Sequence, residues 1–441
     1  MIQLPADSTF LPLFDGALLV SANHALFCRI PAADIDGVKA VLSQNSPFNR
    51  LPGEVQQQLT SHGFIHPQER TAPRKVKVQL QLTNACNLKC SYCCTNSLFS
   101  RSHELDEAAF EQILRDVHRH LGKGTRVSFM GGEPFLVPGV IRLAKLALAL
   151  ELELTVYSNG LVLFDNDEML NDVAELTKRG VKMRVSLASA AAGSCDALSG
   201  TARFERVVDT LRKLAERGGH ADVDIMLMPQ NAGEMAREFS RLKKRLPRNF
   251  KVSIGVLYLS GREKGEHLFA SNEALEQALT DISFEAGEYI EAPMPTPIIP
   301  RRDGCDCAVG MNLNVRSDGS LFPCFKMEER IGHLSERSIA EAIRYIRDNP
   351  HPASSLQTCK DCPLRTLCGG GCRSDNFLYT GSGEPLCAPW RVRVLSEMLA
   401  EDRTEVVHWS VGHLYAEAKR RNIPVPDSLP ETLPSRHCSE I

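Results

Sequence analysis

Fifteen cysteines in a chain of 441 residues are the first feature that needs a chemical explanation. Only Cys28, Cys195 and Cys438 lie outside two dense groups, one spanning residues 86–94 and the other 305–387. In the first group, Cys86-x3-Cys90-x2-Cys93 offers three thiolates within one short stretch. Three ligands on a four-iron cluster leave one iron open to a substrate, whereas a fully ligated cluster usually takes four cysteines. Zinc with a fourth ligand from a distant residue is the alternative. Cys94 adjoins Cys93, and adjacent residues do not easily both reach one cluster, so Cys94 reads as a packed thiol. The second group runs Cys307-x11-Gly319-x4-Cys324, then Cys359-x2-Cys362-x5-Cys368-x3-Cys372-x14-Cys387. Its Cys-x2-Cys pair is also a common zinc hook.

These residues need elements to hold them. From residue 75 the pattern alternates, with strands expected over 76–83, 126–130, 152–157, 182–187, 222–228 and 251–259 and helices between them, for example over 106–121, 168–179 and 202–217. Six βα units in series imply a parallel sheet with right-handed crossovers, an α/β fold. Six rather than eight implies an incomplete barrel, with chemistry at the C-terminal ends of the strands. The first cysteine group follows the first of these strands. Gly131-Gly132-Glu133-Pro134 ends the second, Ser158-Asn159-Gly160 ends the third, and Ser186 ends the fourth in Val185-Ser186-Leu187. After about residue 290 the chain turns Pro-, Gly- and Cys-rich, as expected where metal organises the fold. There, 312–316 and 321–323 around Ser317-Asp318-Gly319 read as a hairpin whose glycine supplies a positive φ. A long helical pattern over 390–421 closes the chain, before a Pro-rich tail.

Together these motifs resemble the radical S-adenosylmethionine (radical SAM) superfamily, whose signature is this three-cysteine spacing with an aromatic residue before the last cysteine. Tyr92 fills that place. In the family, the open iron holds the amino and carboxyl groups of SAM. An electron from the cluster cleaves SAM to methionine and a 5′-deoxyadenosyl radical, so the cofactor carries the difficult chemistry. Gly131, Gly132, Glu133 and Pro134 resemble the family's GGEP, where backbone and acid meet the SAM amino group. Ser158 and Asn159 resemble its TNG. Ser186 is similar to the serine of VSLDG, which approaches the SAM ribose or carboxylate, although Ala188-Ser189 replace Asp-Gly here. An arginine often follows in the family, and Arg203 and Arg206 are the candidates.

The second cysteine group resembles the SPASM domain, a C-terminal extension of peptide-modifying radical SAM enzymes. The resemblance covers about residues 75–390 and implies two auxiliary four-iron clusters, three [4Fe-4S] clusters in all. The inner auxiliary cluster would take Cys307, Cys324 and Cys372, with Cys305 as fourth ligand. The outer would take Cys359, Cys362, Cys368 and Cys387. The implied organisation is a possible leader-binding module over 1–70, a partial (β/α)6 TIM-like barrel over 75–290, a SPASM domain over 291–390, and a C-terminal helix and tail over 391–441.

In size and element order, residues 1–70 resemble the small α+β, winged-helix-like module with which many of these peptide-modifying enzymes begin; a capping segment with no binding role is the alternative. Residues 16–21 and 25–30 flank the turn-like Asn23-His24, and helices are expected over 32–42 and from 51–53 to about 62. Such a module would hold a leader peptide as an added strand. The expected partners are therefore a ribosomally made precursor peptide with its leader, and a reducing partner such as flavodoxin or ferredoxin. The expected product is a C–C, C–S or C–O crosslink. Anaerobic sulfatase-maturating enzymes place an Asp after the Gly-x4-Cys cysteine; Phe325 stands there, which counts against aldehyde formation. A folded protein or a small metabolite as target is the rival enzyme reading. An iron–sulfur relay or sensor is the non-enzyme reading, and a relay has no need of motifs that hold SAM.

Composition sets the outer limits. Lys and Arg number 51 against 54 Asp and Glu, a net charge of −3, which points to neither nucleic acid nor a membrane surface. No apolar run of about 18 residues appears, and no basic region followed by an apolar run opens the chain. The cytoplasm is the expected compartment. There disulfides rarely persist, and clustered thiols serve more often as metal ligands.

Overall fold

The structure is a computed structural model that describes residues 2–67, 75–97, 103–256, 272–286, 311–327, 329–349, 355–401 and 411–427. Cys305, Cys307 and Cys438 lie outside the described residues, as does the end of the strand expected to reach 259. The chain forms two compact units. One comprises 1–73, 294–307 and 351–441; the other comprises 74–293 and 308–350. Each therefore draws together segments that the sequence reading kept apart.

The first unit begins with three antiparallel strands, β1 (Ser8–Leu13), β2 (Gly16–Ser21) and β3 (Leu26–Pro31), in that order across the sheet. The β2–β3 hairpin is the one expected. β1 was not, because Ser-Thr-Phe-Leu-Pro-Leu lacks alternation and holds a proline. Pro12 is tolerated because β1 is an edge strand. The Asp7 carboxylate fastens the hairpin, accepting from Ser21 Oγ at 2.8 Å and from the Asn23 amide at 2.6 Å. Helices α1 (Ile35–Leu42) and α2 (Gly53–Ser61) follow. Their residues Val38, Val41, Val55 and Leu59 share a core with Leu19, Cys28 and Ile30 of the sheet. Leu18 and Val20 face the other way, so β2 is buried on both sides, which accounts for its unbroken apolar run.

The second unit is built on six parallel strands: β4 (Lys77–Thr83), β5 (Arg126–Gly131), β6 (Glu153–Ser158), β7 (Lys182–Leu187), β8 (Asp222–Leu227) and β9 (Val252–Val256). Between and after them lie α3 (Glu107–Leu121), α4 (Val140–Ala149), α5 (Asp167–Lys178), α6 (Ala192–Ser199), α7 (Phe204–Glu216), α8 (Ala232–Arg245) and α9 (Asn272–Ala286). Asp106 caps α3 by accepting from Ala109 N, and Asn166 caps α5 by accepting from Met169 N. The sheet continues past β4. Strand β10 (Asn312–Val315) pairs parallel with it, Asn312 opposite Lys77, and β11 (Ser320–Phe322) and β12 (Gly332–His333) add antiparallel. Nine strands result, in the order β12-β11-β10-β4-β5-β6-β7-β8-β9. Gly319 turns the β10–β11 hairpin at φ +89°. Helix α10 (Ile339–Asp348) opens on a capping box of Ser338 and Glu341.

The rest of the first unit holds α11 (Arg365–Cys368), α12 (Arg373–Thr380), α13 (Pro389–Leu399) and α14 (Val411–Arg420). The single unbroken helix expected over 390–421 is corrected here: α13 ends at Leu399 and α14 spans Val411–Arg420. Trp390, Val394 and Met398 of α13 share one core with Leu414 and Ala418 of α14. An uninterrupted helix rising about 1.5 Å per residue would hold the two sets too far apart. The same core takes in Leu13, Leu18 and Val20 of the N-terminal sheet, with Leu364 and Leu367. Among the described residues, no helix is long and apolar enough to cross a membrane.

Candidate functional site

The first cysteine group follows directly from β4. Its loop is laid over the end of β5 by two backbone hydrogen bonds, Gly132 N to Thr83 O at 2.8 Å and Glu133 N to Ala85 O at 2.9 Å. That approach leaves no room for side chains. A Cβ on Gly132 would lie 1.8 Å from Ala85 O, and one on Gly131 would lie 2.3 Å from Thr83 O at φ +134°. The glycine pair is thus a steric requirement for bringing the thiols to the strand ends.

Glu133 is fully buried. Its carboxylate accepts from Phe135 N at 3.1 Å, Ser158 Oγ at 2.8 Å and Asn159 N at 2.7 Å, binding the end of β5 to the end of β6. Burial pushes its carboxyl up, against these bonds, which favour the charged form. Asn159 Nδ2 donates to Asn87 Oδ1 at 2.7 Å and lies 4.0 Å from Cys86 Sγ, so the third strand end also reaches the cysteine loop. Arg203 closes the frame. Its side chain, 1% exposed, donates to Asn159 O at 3.0 Å and to Ser186 O at 2.5 Å, tying β6 to β7. Ser186 therefore joins the frame through its carbonyl. Arg206 points elsewhere, pairing with Asp165 and stacking on Phe164. Of the two candidate arginines, only Arg203 converges on the site.

The thiols of Cys86, Cys90 and Cys93 lie close enough to oppose one another's ionisation. Burial pushes Cys86 up to about 11 and also raises Cys90, where Arg203 works in the opposite direction. Cys93 is half-buried, yet hydrogen bonds to Thr95 and Ser97 outweigh the effect of burial and hold its thiol below the usual range. Thr95 Oγ1 lies 3.4 Å from Cys93 Sγ, and Ser97 N donates to it at 3.5 Å. The Thr95 and Ser97 hydroxyls also reach Gly131 O, at 3.2 and 3.4 Å. Tyr92 packs against the barrel core, and its side chain hydrogen-bonds Cys90. Cys94 is pushed up to about 11 by burial and packs beside this loop.

In the second group, Cys359, Cys362, Cys368 and Cys387 are drawn together. Burial pushes Cys359 up to about 12 and Cys387 up to about 11, and each is raised further by Cys362 and Cys368. Gly369, Gly370 and Gly371, between Cys368 and Cys372, all adopt left-handed backbone. Arg373 and Arg391 are buried beside these thiols. Cys324 belongs to one compact unit and Cys372 to the other.

Both sets of thiols are of the ligand type that four-iron clusters take, which zinc takes as well. Among the described residues, no three His, Cys, Asp or Glu side chains already close on one point.

Comparison with known proteins agrees. The profile of the radical SAM superfamily matches residues 80–242. That span is a radical SAM domain. Among curated relatives, the PqqA peptide cyclase of Xanthomonas oryzae pv. oryzae (strain MAFF 311018) is 24% identical over 338 residues, covering 72% of this chain and 88% of that protein. The PqqA peptide cyclase of Xanthomonas euvesicatoria pv. vesicatoria (strain 85-10) is 25% identical over 387 residues, covering 81% and 99%. Among solved structures, Streptococcus suis SuiB bound to precursor peptide SuiA superposes with a TM-score of 0.57 at 14% identity, covering 89% of this chain and all of that one. Native anSMEcpe with bound AdoMet and Cp18Cys peptide gives 0.54 at 15%, covering 75% and 95%. These structural likenesses carry the fold. Within the radical SAM domain, Asn87, Thr95 and Ser97 were missed by the sequence reading. The one available signal was the hydroxyl-rich run just after Cys93.

Proposed function

We propose that the protein is a radical SAM maturase that crosslinks a ribosomally made precursor peptide, with its leader held by the N-terminal module. Cys86, Cys90 and Cys93 would hold a four-iron cluster whose open iron takes SAM. When bound, the two supply a 5′-deoxyadenosyl radical by reductive cleavage. The chain's own residues do the positioning. Gly131 and Gly132 let the cysteine loop lie over β5, and Glu133 and Arg203 lock three strand ends beneath it. Ser158, Asn159 and Ser186 line that rim, and the backbone of 131–134 is the proposed seat of the SAM amino group. The observation that carries this reading is the convergence of GGEP, Ser158-Asn159 and Arg203 on the three-cysteine loop.

The peptide part of the reading draws support from the PqqA peptide cyclases and from the SuiB fold. Strands β1 and β3 are sheet edges, as strand addition of a leader requires. The outer auxiliary cluster would sit on Cys359, Cys362, Cys368 and Cys387. The inner would sit on Cys307, Cys324 and Cys372, with Cys305. A flavodoxin or ferredoxin is the proposed reductant and the cytoplasm the proposed compartment.

The test is anaerobic reconstitution followed by incubation with SAM, dithionite and a candidate precursor. About twelve irons, release of 5′-deoxyadenosine and loss of two hydrogens from the peptide by mass spectrometry are expected. Tightly bound zinc with no cluster absorbance would overturn the reading.

A further inference from the structure

Arg391 is among the largest side chains in the molecule that are fully buried. It sits at the start of α13, four residues after Cys387. Of its donors, Nη1 reaches Leu386 O at 3.0 Å, while Nε is buried without an acceptor among the described residues. No carboxylate among the described residues pairs with it. A guanidinium has five donors and does not deprotonate in proteins, and a buried charge without an opposite charge is strongly unfavourable. Something anionic must therefore compensate it.

The surroundings identify that anion. The carbonyl that Arg391 Nη1 reaches belongs to the residue just before Cys387. The left-handed glycine run makes the close fit possible. A Cβ on Gly371 would lie 2.6 Å from Arg391 Nη2, and one on Gly370 would lie 3.3 Å from Cys359 Sγ. The guanidinium thus lies directly against a glycine backbone that also borders the thiols. Four thiolates outweigh the charge of a four-iron core, so the loaded site is anionic, and more so once reduced.

We propose that Arg391 is the fixed counter-ion of a cluster held by Cys359, Cys362, Cys368 and Cys387, and that it raises the reduction potential of that cluster. A buried cation stabilises the more negative, reduced form more than the oxidised form. Arg391 is a positioning residue here; it reaches no substrate. The proposal rests on the reading that these four cysteines hold a cluster.

The test uses reconstituted full-length protein carrying Arg391→Met or Arg391→Lys. Iron is assayed, and the cluster potentials are followed by EPR during redox titration. The outer cluster is identified as the signal missing after Cys359→Ala with Cys362→Ala. Arg391→Met should lower the midpoint of that signal by at least 59 mV, a tenfold change for a one-electron couple. Arg391→Lys should restore most of it, and the other signals should not move. Full iron with an unchanged midpoint would overturn the proposal. If Arg391→Met does not retain the outer cluster, iron-free proteins decide. An uncompensated buried cation makes iron-free wild type melt below iron-free Arg391→Met, whereas the reverse order makes Arg391 mere packing and overturns the proposal. Absence of iron at the outer cysteines in wild type would instead defeat the cluster reading beneath it.

Discussion

Glu133 shows what one residue does for the frame. Three donors from two strand ends converge on a carboxylate that water does not reach. Glutamine at this position would turn an NH2 group toward one of those donors. Leaving a buried group unsatisfied costs about 1–3 kcal/mol, more where charge is involved. Glu133→Gln should therefore lower the unfolding midpoint and weaken SAM binding, read by calorimetry, while iron content stays near wild type. Normal SAM affinity in a destabilised variant would reduce Glu133 to a brace. The motif was readable from its residue types, and its place at a strand end was readable from the alternation around it. Its task was not. Whether an acid faces a ligand or its neighbours depends on which donors two strands bring to it. Arg391 was missed for a similar reason, since nothing in Cys-Ala-Pro-Trp-Arg shows that the arginine turns inward.

At the scale of elements, β4 to β9 could be read because half-buried strands alternate and their spacing admits a helix each time. β10 was legible as part of a hairpin, but its partner β4 lies more than two hundred residues earlier in the chain, and periodicity carries no information about distant pairing. The junction of β5 with the cysteine loop gives a sharper test. Gly132→Ala places a methyl inside Ala85 O, so the loop must move. This variant should lose about four irons, together with SAM cleavage. Gly193→Ala, with open space around it, should keep both. Helix α14 gives a pH test. Glu417 is buried, yet Arg420 and Arg421 outweigh that and hold its carboxyl below the usual glutamate range. A depressed folded-state pKa stabilises above the ordinary pKa, and that stability is lost as pH falls through the folded value. Glu417→Gln should therefore cost about 1.5–3 kcal/mol near neutrality. The gap to wild type should close on acidification, and a gap independent of pH would rule out the charge as its source.

Over the whole chain, the N-terminal sheet and the outer cysteine loop belong to one compact unit although more than three hundred residues separate them. Leu364 and Leu367, which lie between Cys362 and Cys368, pack in the same core as Leu13, Leu18 and Val20. Arg365 bridges the two segments, donating to Cys362 O at 3.2 Å and to Asn23 Oδ1 at 2.8 Å. A loop of this kind has little regular structure of its own, and metal binding is what would order it. Each leucine that leaves the core forfeits about 1.5–3 kcal/mol of burial, so the loss is felt by the sheet. Cys359→Ala with Cys362→Ala should therefore speed amide hydrogen exchange in β2, at Leu18, Leu19 and Val20, by at least tenfold relative to wild type. Amides of β6 and β7, in the other compact unit, should exchange at their wild-type rates. If the N-terminal sheet docks a leader, precursor affinity should fall in the same variant with no change made to residues 1–70. Unchanged protection in β2 would mean that the sheet holds its shape without the metal-bound loop, and that iron loading and peptide docking are independent.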